Sequence, residues 1–225
     1  MTFLRLALAI LRKDLLAEWR TKERLSPMLF FVLLSLLVFN FSFELGGAAL
    51  HEIGPGVLWS TFTFASLLGL NRSFVDEREN GCLDALLLAP AGRGALYLGK
   101  MLGNLAFLLL VELLGLPFFA LFFNLNPGPF LLPLVGIFVL GAASLAAVGT
   151  LFAAISSQLR LRELLLPLLL LPMAMPALIA CVESTALVLQ GDASGRVGPY
   201  LQILGVYVVV FTTLSLMLFE HVIEE

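Results

Sequence analysis

The chain has 225 residues, of which 60% are apolar and 13% charged, and its formal net charge is −3. Soluble domains use about 45–50% apolar and about 25% charged residues, so the excess apolar surface here must face lipid. The two cysteines, Cys82 and Cys181, belong to no Cys/His cluster, which argues against a structural metal site. We therefore expect an all-α polytopic membrane protein.

Residues 1–24 predict an amphipathic helix that lies on the membrane surface before the first span. Apolar side chains recur in it at helical spacing, at Leu4, Leu8, Leu11, Leu15 and Trp19. Basic side chains are expected on its wet face, at Arg5, Lys13, Arg20 and Arg24. The alternative is a soluble helix that docks on a partner protein.

Six apolar stretches follow, each close to the roughly 20 residues that a spanning helix needs. We predict spans at about residues 25–43, 53–71, 98–123, 130–156, 164–189 and 201–219, within a single domain that covers residues 1–225. Gly54-Pro55-Gly56 is expected as a turn that opens the second span, and residues 191–199 as a polar turn before the sixth. Three prolines are expected to bend the fifth span, Pro167, Pro172 and Pro176.

The basic residues are distributed unevenly among the predicted loops. Under six-span threading, all but one of the 13 Lys and Arg residues lie at one end of the bundle, and the exception is Arg196. Because short cytoplasmic loops carry an excess of Lys and Arg, both termini are predicted to be cytoplasmic.

The cytoplasmic loop at residues 71–90 is the most informative segment. Its first half is densely charged, and its second half places several leucines in a short amphipathic turn of helix after a glycine. Such a helix is suited to insert into a groove on a soluble partner, as a coupling helix does in transport ATPases. The alternative is a solvated loop with a membrane-lying turn. The residues predicted to couple are Glu77, Glu79, Gly81, Leu83, Leu86, Leu87 and Pro90.

Residues 77–90 resemble the corresponding loop of the ABC-2 type permease superfamily: acidic residues, a glycine, a leucine-rich helix and then a proline. Within that superfamily the whole chain resembles the cytochrome c maturation permeases, the haem exporter protein B family. The further segments that carry the resemblance are Arg12-Lys13-Asp14-Leu15, Gly54-Pro55-Gly56-Val57-Leu58-Trp59, Leu171-Pro172-Met173 and Pro176-Ala177-Leu178-Ile179.

The resemblance implies a non-catalytic permease subunit in the bacterial inner membrane, driven by a separate ATP-binding cassette ATPase subunit. It also implies a second copy of the chain and other cytochrome c maturation membrane proteins as partners, among them a haem-handling subunit. Two roles stay open: conducting haem, or transmitting ATP-driven motion that frees a haem-loaded chaperone. No directly bound cofactor and no nucleic acid are expected, and haem enters as a candidate transported or handled ligand.

Two other functions compete with this one. A related ABC-2 type permease could export drugs or lipids, and a secondary carrier would work without ATP. Secondary carriers often show paired repeats, and the two halves of this chain show no convincing repeat.

Residues 94–100 superficially match a phosphate-binding loop. The next residue, Met101, offers no hydroxyl for magnesium, and the stretch runs into a span instead of lying between a strand and a helix. We therefore expect no nucleotide binding by this chain. Gly99 and Gly103, one helical turn apart, are expected to permit close approach of another helix.

Glu112 and Glu183 are the acids predicted to lie inside spans, and both are candidates for an intramembrane or substrate-path site. Alternatively, Glu112 is protonated or hydrogen-bonded between helices, and Glu183 is wetted near the outer interface. His51 in the first outer loop is a candidate haem ligand or an ordinary solvated histidine.

Overall fold

The computed structural model describes residues 3–43, 48–74, 93–124, 131–157, 159, 162–191 and 195–222. Within these ranges the chain forms helices α1 (Phe3–Thr21), α2 (Leu25–Phe43), α3 (Ala48–Asn71), α4 (Arg93–Phe122), α5 (Leu131–Ser157), α6 (Arg162–Leu189) and α7 (Val197–Val222). The last six are long and apolar enough to cross a bilayer. The predicted all-α fold, with six spans and a preceding helix, is confirmed.

One turn predicted from Gly and Pro is wrong, and another ends three residues earlier than predicted. Helix α3 begins at Ala48, so Pro55 and its flanking glycines lie inside the helix. Spanning helices tolerate such a proline because neighbouring groups satisfy the freed backbone carbonyl. Helix α7 begins at Val197 and takes in Pro199, where a proline costs no hydrogen bond because first-turn N–H groups have no partner within the helix.

Helix α5 lies at the centre of the bundle, because its small residues let neighbouring helices approach closely. Every residue from 141 to 150 is buried. A methyl group at Gly141 would overlap the indole ring of Trp59 on α3, and one at Gly149 would overlap Leu70. Close van der Waals packing of this kind drives helix association where no water is present.

One end of the bundle brings together the parts of the chain that flank the α3–α4 loop. Near the end of α7, the ring of Phe219 lies 5.4 Å from that of Tyr97 on α4 and 6.4 Å from that of Phe74, just after α3. Helix α1 packs against the same part of α4. We call this end of the bundle the α1 end. It contains α1, the start of α4 and the ends of α3 and α7.

Candidate functional site: a buried polar network at the base of the α3–α4 loop

The residues predicted to couple to an ATPase lie outside the described ranges, which stop at residue 74 and resume at residue 93. The two sides of this loop are nevertheless described. A network of buried polar side chains lies there, within the α1 end.

Lys100, in the second turn of α4, is the centre of the network. Its side chain is fully buried, and its Nζ lies 3.0 Å from Oδ2 of Asp14 on α1. The same Nζ donates a hydrogen bond of 2.8 Å to the backbone carbonyl of Ser73 and lies 5.4 Å from the centre of the Phe74 ring. A buried ammonium is tolerated only where a carboxylate and hydrogen-bond acceptors surround it. Lys100 therefore joins α1, the end of α3 and the start of α4.

A branch of the network runs from the end of α3 into the bundle centre. The Ser73 hydroxyl donates to Oδ1 of Asn104 at 3.0 Å, and Nδ2 of Asn104 donates to the hydroxyl of Thr150 on α5 at 2.9 Å. All three side chains are buried. Buried polar networks with satisfied members hold their elements in one arrangement, so the loop base is tied to α5 as well.

A second acid of α1, Glu18, fixes the entry to α2. Its Oε1 accepts hydrogen bonds from the backbone N–H groups of Arg24 at 2.9 Å and Leu25 at 2.8 Å. These are N–H groups at the start of a helix, which lack intrahelical partners and favour a negative charge. Glu18 therefore acts as a cap that joins α1 firmly to α2.

Arg24 does not lie on a wet face, contrary to the prediction. It is 7% exposed, its guanidinium donates to the Ser73 carbonyl at 3.4 Å, and it lies 5.8 Å from the centre of the Phe107 ring on α4. A guanidinium is weakly hydrated and stacks on aromatic rings, so it can be buried where such partners exist. Arg24 belongs to the network.

Helix α1 has distinct faces. The predicted apolar face is turned away from the protein, with Leu4 65% and Trp19 81% exposed, as expected of a surface that meets lipid. An adjacent stripe is buried: Ala7, Ile10, Asp14 and Glu18. The composition of the helix does not predict this stripe, because acidic residues such as Asp14 and Glu18 are usually exposed to water. The spacing of three and four residues between its members is the sequence signal that reveals it.

Gly99 is where α1 comes closest to α4. A Cβ at this position would lie 2.8 Å from the carbonyl oxygen of Ala7 and 2.8 Å from Cβ of Ile10. The stretch that resembles a phosphate loop is thus part of a helix, and its lysine is engaged with Asp14. The glycine serves helix packing, as predicted.

The two candidate acids do not lie together. Glu112 on α4 is 2% exposed, and among the described residues its Oε2 has no hydrogen-bond partner. Glu183 on α6 is exposed and lines a groove of about 320 Å³ between α3 and α6, together with Trp59, Ser60 and Thr63. Glu112 is thus enclosed by the bundle, while Glu183 faces an open groove.

The side chain of His51 lies outside the described residues, although its backbone belongs to α3. Within the described ranges, no group of three or more His, Cys, Asp or Glu residues could hold a metal ion.

Six spanning helices, with the small-residue helix α5 at their centre and a polar network at one end, define a multi-pass α-helical membrane protein. A family model described as CcmB protein matches residues 5–224, and the chain belongs to this family. Two relatives called heme exporter protein B come from Rhodobacter capsulatus, 35% identical over 78% of this chain and 80% of its own length, and from Paracoccus denitrificans, 34% identical over the same shares. A third, from Pseudomonas aeruginosa, is 30% identical over 82% of both chains.

Proposed function

We propose that this chain is the permease subunit of a haem-export complex for cytochrome c maturation, driven by ATP hydrolysis in a separate ATP-binding cassette subunit. The observation that carries the proposal is the match to the CcmB model over residues 5–224. Relatives named heme exporter protein B, matched over most of both chains, support haem as the molecule handled.

The proposal includes a coupling role for the α3–α4 loop. Glu77, Glu79, Gly81, Leu83, Leu86, Leu87 and Pro90 are the residues that would dock on the ATPase subunit. The buried network supports this role, because a loop that receives force needs an anchored base. The involvement of Lys100 in that network also favours an external source of ATP hydrolysis.

We further propose that residues 1–225 form one ABC-2 type transmembrane domain in the bacterial inner membrane, with the α1 end towards the cytoplasm. The excess of Lys and Arg in the loops of that end supports this orientation. A second copy of the chain and a haem-handling membrane protein complete the proposed complex.

Of the two candidate acids, we propose Glu183 as the one that faces the path of a handled molecule. Its groove is open, it has room for part of a flat amphipathic ligand, and Ser60 and Thr63 add polar groups to an apolar wall. Glu112 is enclosed among packed helices and is proposed to have no contact with the handled ligand.

The proposal is tested in a strain that lacks the chain. We expect c-type cytochromes to be lost and to return when the wild-type chain is supplied, and the tagged chain to co-purify with an ATPase subunit. The isolated chain should not bind ATP. Normal c-type cytochromes together with a loss of drug or lipid export would favour the alternative permease, and transport without any ATPase partner would favour a secondary carrier.

A further inference from the structure

We infer that Lys100 is a positioning residue that fastens the base of the α3–α4 loop to α1, so that α1 moves with the loop during transport. The inference rests on the proposed function, in which this loop docks on the ATPase subunit. It assigns the helix before the first span a mechanical role in addition to membrane attachment.

Lys100 holds both sides of the loop at once. It belongs to α4, which follows the loop, and it donates to the carbonyl of Ser73, at the start of the loop. Its ion pair with Asp14 brings α1 to the same point. Both charges are buried, so separating them costs free energy in a medium of low dielectric constant, and Lys13, half exposed and 3.4 Å from Oδ1 of Asp14, offsets only part of that cost. A displacement of the loop base therefore carries α1 along.

Helix α1 can pass this movement on because it is held at two further places. Its backbone at Ala7 fits closely against Gly99, where a side chain has no room. Its Glu18 accepts the hydrogen bonds of the Arg24 and Leu25 N–H groups that start α2. Movement of α1 is thereby transmitted to the first span.

The second branch reaches the bundle centre. Ser73, whose carbonyl binds Lys100, also donates to Asn104, and Asn104 donates to Thr150 on α5. The loop base is thus connected to α1 by an ion pair and to α5 by neutral hydrogen bonds. Because the branches use different atoms, the first can be removed while the second stays.

The first variant removes both buried charges: Asp14→Asn with Lys100→Met in one chain. Replacing both partners leaves neither buried charge without the other, and Lys13, which also pairs with Asp14 at 3.4 Å, is half exposed and can be solvated. We expect this variant to accumulate and to co-purify with the ATPase subunit at wild-type levels, while c-type cytochrome assembly falls at least about tenfold.

The second variant restores the connection in another chemical form: Asp14→Cys, Lys100→Met and Gly103→Cys, in a chain with Cys82→Ser. A Cβ at Gly103 lies 3.8 Å from Cβ of Asp14, within the range of about 3.5–4.5 Å that a disulfide requires. Its other nearest neighbours are at ordinary contact distances, 3.6 Å to Asp14 Oδ2 and 3.9 Å to Leu11 Cδ1, so the new side chain fits.

In cells with an oxidising cytoplasm, we expect this disulfide to restore at least half of wild-type cytochrome c assembly, with bond formation followed by a thiol-labelling gel shift. The matched control carries Asp14→Ser in place of Asp14→Cys, forms no bond and should stay defective. A chain with Cys82→Ser alone serves as the reference. If cytochrome c assembly recovers in the disulfide variant and not in its control, the defect comes from the lost connection between α1 and α4 and not from a general effect on folding.

Three results would overturn the inference. They are wild-type cytochrome c assembly in the charge-free variant, loss of its ATPase partner, and continued failure of the disulfide variant despite complete bond formation. Failure of the proposed function is distinguishable from all three, because the unmodified chain would then lack an ATPase partner or have no effect on c-type cytochromes.

Discussion

The indole Nε1 of Trp59 on α3 donates a hydrogen bond of 2.9 Å to the hydroxyl of Thr185 on α6. Trp59 is 1% exposed and Thr185 fully buried, so no water can replace a lost partner. The ring of Trp59 also meets those of Phe62 and Phe138 edge to face, at 6.1 Å and 5.8 Å. The hydrogen bond between Trp59 and Thr185 thus joins the second span, α3, to the fifth, α6.

Thr185→Val should therefore destabilise the protein by about 0.5–1.5 kcal/mol, because it leaves a buried indole N–H unpaired. Thermal unfolding of the purified chain in detergent measures the effect. Thr213→Val is the matched control, because Thr213 is exposed on α7 and its hydroxyl bonds to the carbonyl of Val209 within the same helix. Equal melting temperatures for the two variants would contradict the assigned role of the Trp59 hydrogen bond.

Gly99→Ala should displace α1 from α4 and destabilise the chain by about 1–3 kcal/mol, the usual cost of overpacking a tight contact. The new methyl group would meet the backbone of Ala7, which cannot rotate away. Gly136→Ala on α5 is the control, since its Cβ would meet nothing within 4 Å. Unchanged melting and unchanged protease sensitivity of the first helix in the Gly99→Ala variant would show that the contact is loose.

How far the sequence predicts this protein depends on which physical signal is used. Hydropathy locates the spans well, and α2 spans Leu25–Phe43 as predicted, because an apolar run near bilayer length has few alternatives. Local turn signals mislead at Pro55, because the packed bundle overrides them. The Gly99 contact is predictable, since a small residue one turn from another is a known signature of close helix packing.

The buried polar network at the α1 end could not be predicted from the sequence. Arg24 is predicted on a wet face from its charge alone, and the charges of Asp14 and Glu18 give no sign of burial. The burial of Asp14 and Arg24 depends on partners far along the chain: Lys100 for Asp14, and Ser73 and Phe107 for Arg24. Pairing of this kind follows from tertiary packing, which local propensity does not contain.

Glu112→Gln should leave cytochrome c assembly intact and keep or raise the melting temperature, because the amide is nearly isosteric with the carboxyl group and places no charge in an enclosed site. Glu183→Gln should instead reduce cytochrome c assembly several-fold without affecting accumulation, because Glu183 faces the open groove. Membrane levels and covalent haem staining measure both effects. The opposite pattern would assign the functional role to Glu112.

The orientation of the bundle is tested with single cysteines in a chain with Cys82→Ser. Gln190 and Lys22 are both exposed and lie at opposite ends of the bundle. We expect Gln190→Cys to react with a membrane-impermeant maleimide in intact cells, and Lys22→Cys to react only after permeabilisation. The remaining Cys181 is buried and supplies the background. Labelling of Lys22→Cys from outside would invert the proposed orientation.

The central claim is that the α3–α4 loop docks on the ATPase subunit through its leucines. Leu83 and Leu86 are three residues apart and would share one face of a short helix. Burying such a side chain is worth roughly 1.5–3 kcal/mol, and about 1.4 kcal/mol changes an affinity tenfold. Removing both should therefore weaken docking by at least about a hundredfold.

The most direct measurement is co-purification of the ATPase subunit with a tagged chain that carries Leu83→Ser and Leu86→Ser. The matched control carries Leu131→Ser and Leu132→Ser, two exposed leucines at the start of α5, at the other end of the bundle. We predict that the loop variant accumulates in the membrane without its ATPase partner and assembles no cytochrome c, while the control retains both. Wild-type recovery of the ATPase subunit with the loop variant would contradict the proposed coupling.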